Sequence, residues 1–160
     1  MTWRGSTDLK DRIFGALVYL LPLLSAFPFG KFLYAQFPAV GAVLALILSP
    51  IAFIYGSLGS FGSLIIFFVL FFAVVRNSRV PNFIRFNTMQ ALLIDILLYL
   101  LGLVIGLLGQ GLGTNLILET LFNVVFLGAL ACCFYSIFQS VLGKYAEIPT
   151  ISDAAYSQVR

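Results

Sequence analysis

Histidine is absent from this 160-residue chain, and charge is scarce, with nine basic and six acidic residues making up 9% of it. Losing histidine removes the commonest general base and the commonest metal ligand together. A soluble globular domain is about 45–50% apolar and about 25% charged. Here 61% is apolar and the mean hydropathy is +1.08, so the chain cannot cover itself with polar side chains. An ordinary cytosolic enzyme is excluded. A net charge of +3, dispersed along the chain, makes no footprint for nucleic acid. The two cysteines, Cys132 and Cys133, are neighbours. In a helix they point about 100° apart, which suits neither a disulfide nor a two-ligand metal site. They read as small packing residues. No nucleophile elbow, phosphate loop, metal-ligand spacing or dinucleotide fingerprint is present. The glycine run at 109–115 (GQGLGTN) has no lysine and follows an apolar stretch, so it reads as a turn. No catalytic, metal-binding or cofactor-binding residue is expected, and no internal repeat suggests an inverted-repeat transporter.

What the chain has is long apolar runs, at 13–30, 39–55, 61–75, 88–108 and 116–141. Crossing about 30 Å of hydrocarbon takes about 20 helical residues. Runs such as 64–75 (LIIFFVLFFAVV) lack the alternation of a membrane strand, so helices are expected. The first run has no small-residue cleavage site and carries Pro22, so it reads as a retained helix rather than a signal peptide.

Basic residues gather before residue 13 (Arg4, Lys10, Arg12), between 76 and 85 (Arg76, Arg79, Arg85) and after 141 (Lys144, Arg160). The 109–115 connection has none. The positive-inside rule puts both termini and the 76–85 loop in the cytoplasm or its organelle equivalent. The chain must then cross an even number of times between Arg12 and Arg76, although three apolar runs lie there. Pro38 opens 39–55 and Pro50 breaks it, so this run is expected to be re-entrant or interfacial. The expected fold is all-α: a single polytopic membrane domain with spans at about 13–30, 61–75, 88–108 and 116–141.

At about 100° per residue, Asn87, Thr88, Ala91, Asp95, Leu98, Gly102 and Gly106 share one arc of the 88–108 helix, with Gln90 just outside it. A carboxylate deep in the bilayer costs about 2.5–3.5 kcal/mol. The arc should therefore face other helices, a partner or a hydrated cavity. Asn87, Thr88, Gln90 and Asp95 form the candidate polar intramembrane face. Gly102 and Gly106 stand in the close-approach spacing of membrane helices. Gly128, Cys132, Ser136 and Ser140 line a stripe at spacing four on the last helix.

Three segments resemble a known family: 11–24 (DRIFGALVYLLPLL), 80–96 (VPNFIRFNTMQALLIDI) and 145–158 (YAEIPTISDAAYSQ). Together they are similar to the twenty-kilodalton channel subunit of the translocon at the chloroplast inner envelope, and especially to its cyanobacterial and plastid-encoded relatives. Arg85, Phe86, Asn87, Gln90 and Asp95 carry the central motif. The resemblance implies a four-helix protein in the cyanobacterial plasma membrane or plastid inner envelope, working in protein import, with a preprotein-conducting channel as one role. It implies membrane lipid, other translocon subunits, precursor proteins or further copies of the chain as partners, and no nucleic acid. The residues alone leave two other classes open: a small-solute or ion channel or carrier, and a scaffold that transports nothing.

Overall fold

The computed structural model describes residues 7–113 and 115–159. Arg4, Thr114 and Arg160, used in the charge and turn readings above, lie outside them. Helices α1 (Leu9–Leu17) and α2 (Leu20–Ala26) form one rod, broken by a turn one helical turn before Pro22. Proline has no N–H to give back to the preceding turn, which is why the break falls there. A 3₁₀ turn, Phe27–Gly30, ends the rod, and the short α3 (Lys31–Gln36) follows. Next come α4 (Pro38–Ser57), α5 (Gly62–Leu70) with a π-helical end at Phe71–Val75, α6 (Asn82–Leu112), α7 (Leu116–Val141) and α8 (Ile151–Val159). Among the described residues there is no strand.

Four helical stretches are long and apolar enough to cross a membrane: Leu9–Gln36, Pro38–Ser57, Asn82–Gly111 and Leu116–Val141. The 59–75 stretch is shorter than these. The structure therefore departs from the expected helix lengths in two respects: the 61–75 run, expected to span, belongs to the shorter stretch, and Pro38 does open α4 but Pro50 does not break it. Pro50 leaves the Leu46 carbonyl without its backbone donor. The Ser49 hydroxyl donates to that carbonyl at 2.8 Å instead. Hydroxyl repair of this kind is what lets proline persist inside membrane helices.

Rods α1–α2, α6 and α7 pack together as the core. Leu23, Ala26, Ala91, Leu98, Phe126 and Cys133 fill the space between them, all buried. The helices reach two ends. At one, Gly143 sits against Thr7 and Arg12, and the Arg85 guanidinium donates to the Val75 carbonyl at 2.8 Å. The start of α1, the end of the π-helical segment, the start of α6 and the end of α7 thus share that end. At the other, Gly109 approaches Leu118, and Asn115 caps α7 by accepting from the Leu118 N–H at 3.0 Å.

Between Phe29 and Val75 the chain comes back in pieces. Phe29 and Phe32 pack on Phe122, Tyr34 packs on Phe126, and the first turns of α4 line an apolar groove with Leu130 and Phe134. A second apolar cluster joins Val75, Phe86, Met89, Leu92, Ala155 and Val159, and it fixes α8 along α6.

Candidate functional site

Polar side chains inside the bundle collect where α1–α2, α6 and α7 meet. Tyr19, Asn87, Thr88, Gln90, Ser136 and Ser140 are all fully buried there. The Tyr19 hydroxyl donates to Asn87 Oδ1 at 2.9 Å, and Ser140 donates to the same oxygen at 2.9 Å. Asn87 Nδ2 donates to the Phe83 carbonyl at 2.8 Å. Gln90 Nε2 reaches the Tyr19 hydroxyl at 3.1 Å, the Ala146 carbonyl at 3.0 Å and Ser136 Oγ at 3.5 Å. A carbonyl can only accept, so the Ala146 contact fixes which end of the Gln90 carboxamide faces it.

This network is a device for register. A buried polar group costs free energy unless it is paired, and pairing requires a defined position on each helix. Sliding α7 by one turn, about 5.4 Å, would part Ser136 and Ser140 from α6. The network is made of hydroxyls and carboxamides, which gives it recognition chemistry rather than acid–base chemistry. Gln90 Oε1 in the network and Thr88 Oγ1 elsewhere on α6 are buried with no hydrogen-bond partner.

Asn87, Gln90 and Ser136 thus come together, Thr88 is buried on α6 without a hydrogen bond from its hydroxyl, and Asp95 stands apart. It is half-buried about two turns further along α6, near Ser25, with Oδ1 unpartnered. Arg85 lies outside the network and donates to Asn82 Oδ1 at 2.9 Å as well as to Val75. Phe86 belongs to the second apolar cluster, its ring 4.5 Å from that of Tyr156.

The expectations for helix packing need correction. Gly102 meets the Phe29 ring at 3.4 Å from where a Cβ would lie, and Cys132 packs on the core. Gly106 and Gly128, by contrast, are exposed, with nothing within 4 Å of the same position. A spacing of four residues turns by 400°, so it drifts about 40° at each step. Over several steps it leaves the face it began on. The buried stripe of α7 instead alternates three and four: Phe126, Ala129, Cys133, Ser136, Ser140.

The expected polar arc is also too narrow. Phe86 through Leu92 are all buried, because α8 and the 71–75 segment cover the side of α6 away from α1–α2 and α7. The arc faces helices of its own chain. Tyr19 and the Ala146 carbonyl were missed from the sequence. A tyrosine amid leucines was the available signal, since a buried phenol needs a partner. Nothing local marks a backbone carbonyl as an acceptor.

Fold and site together define a polytopic α-helical bundle, locked at one end by a buried polar network. The family model described as "Chloroplast import apparatus Tic20-like" matches residues 8–155, and the chain belongs to that family. A Tic20 family protein of Synechocystis is 55% identical over all of this chain and 99% of its own length. Protein TIC 20-II, chloroplastic, of Arabidopsis thaliana is 33% identical over 99% of this chain and 78% of its own. The Tic20 family protein Ycf60 of Porphyra purpurea is 32% identical over 99% and 80%.

Proposed function

We propose that this chain is a non-enzymatic membrane subunit of a protein-translocation assembly. The observation that carries this reading is the family match, which runs over nearly the whole chain and includes the helices that build the polar network. Both termini and the 76–85 loop face the cytoplasm or stroma. In support, Lys10, Arg12, Arg76, Arg79, Arg85 and Lys144 gather at one end of the bundle. The α1–α2 rod, α6 and α7 cross the membrane. Segment 59–75 completes the return to the basic end, and α4 lies across the bundle without crossing. The start of α4 lies beside Leu130 and Phe134, while Tyr55 near its end is within electrostatic reach of Asp95.

The filled core supports a polypeptide path outside the three rods. The core axis is filled by buried side chains, and a helical polypeptide is about 10–12 Å across. A preprotein would pass between this chain and a partner subunit. Affinity isolation from native membranes tests the reading. Recovery of other translocation subunits is expected, and recovery of the chain alone would overturn it. One observation favours a second reading as a small-solute or ion pathway: the unpartnered Asp95 Oδ1 within the bilayer zone. Conductance in reconstituted bilayers that changes on Asp95→Asn would support that alternative.

A further inference from the structure

The end of the bundle that holds the polar network is closed by the chain's own C-terminal segment. After α7, residues 144–148 run without helical structure and Ala146 is fully buried. Its carbonyl accepts from Gln90, and the Tyr145 ring stands edge-on to Phe83 and Phe86 at 5.2 and 5.0 Å. Helix α8 then docks on α6 through Ala155, Tyr156 and Val159.

Both ends of this strap bend through the left-handed region. Gly143 (φ 73°) closes α7 in a Schellman turn, with its N–H bonded to the Ser140 carbonyl and that of Lys144 to Gln139. Thr150 (φ 71°) starts α8, and it is the one described residue other than glycine with positive φ. A β-branched residue there is strained, and such strain persists only where surrounding contacts hold it. Undocking would release it. Helix α8 has nine residues, too few to be stable in isolation, so its helix depends on the docking. Docking also leaves Gln90 Oε1 buried without a partner at the strap contact, a penalty that water would relieve on opening.

The geometry points to a detachable latch: residues 144–159 open as a unit about Gly143 and Thr150. Opening uncovers the Gln90 carboxamide and the Phe83 and Phe86 rings while α1–α2, α6 and α7 stay packed. The inference does not depend on which partner the chain serves.

Thiol labelling tests it in the full chain, with Cys132 and Cys133 replaced by alanine. One reporter is Ala146→Cys under the strap. The other is Ala129→Cys, buried in the core of α7. Ala146→Cys should react faster than Ala129→Cys. Gln90→Leu should speed the first reporter by about five-fold or more, and the first should stay the faster of the two. Thr150→Gly should slow the first by a comparable factor, because glycine relieves the left-handed strain. If both reporters react at one rate and shift together, the end opens only when the bundle unfolds, and the latch is overturned. Hydrogen exchange on the unsubstituted chain gives an independent readout. Amides of α8 should exchange as a group well before those of α7, and equal protection would also overturn the latch.

Discussion

Replacing Gln90 with leucine removes the donor to the Ala146 carbonyl and leaves that buried acceptor unpaired. The expected loss is about 1–3 kcal/mol, seen as a lower midpoint of detergent unfolding. Asp95 should behave differently, because it lies away from the network, near Ser25. Asp95→Asn keeps a polar group beside Ser25 and sheds the cost of a carboxylate in the bilayer, so it should fold as well as the parent or better. Asp95→Leu removes that polar neighbour and should lose roughly 1 kcal/mol. Equal melting of parent, Asn and Leu variants would show that Asp95 has no packing role. Gly143→Ala puts a Cβ 2.6 Å from Thr7 Oγ1 at a positive φ, so it should destabilise the junction of the two chain ends by more than 1 kcal/mol.

Among the elements, α4 is the one whose behaviour runs against its sequence. Its proline sits thirteen positions into a 20-residue helix, and the Ser49 hydroxyl takes over the bond that Pro50 cannot make. Pro50→Ala restores a backbone donor to the Leu46 carbonyl and should be neutral or stabilising in a melting assay. A marked loss would mean that a bend at Pro50 is required. The proposed placement of α4 across the bundle predicts that cysteines at Gln36 and Ser60, both exposed positions flanking it, react with an impermeant thiol reagent from the same side. Labelling from opposite sides would make α4 a span.

Seen whole, the molecule gathers Lys10, Arg12, Arg76, Arg79, Arg85 and Lys144 at the end where both described termini lie, while Lys31 stands at the other, over the Phe122 ring. Ser78 and Gln110 are exposed near opposite ends. Single cysteines there, in a background without Cys132 and Cys133, should be labelled from opposite faces of sealed membranes, Ser78 from the cytoplasmic or stromal one. Labelling of both from one face would sink the orientation. The filled core also bears on transport. A photo-crosslinker at Ala91, which is buried, should react within the chain. One at exposed Gly106 or Gly128, where nothing approaches, should capture lipid, a partner or a second copy.

Membrane character, helical class and the polarity of the two ends follow from composition and the order of residues alone. Hydropathy and charge act on each segment independently of its neighbours, and so they are legible without a fold. The pairing of Asn87 and Gln90 with something buried was also legible, because unpaired carboxamides are too costly in hydrocarbon. What they pair with was not. Tyr19 lies 68 residues from Asn87, and the Ala146 carbonyl lies 56 from Gln90, so only packing brings them together. The same holds for the far side of α6. Its periodicity marks one polar face, yet Phe86 to Leu92 are buried all round because α8 and the 71–75 segment return to cover the other. Spacing-of-four stripes failed at Gly106 and Gly128 for a geometric reason, the drift of 3.6-residue turns against a four-residue repeat. A sequence fixes what each helix must hide; which helix hides it is decided when the chain folds back on itself.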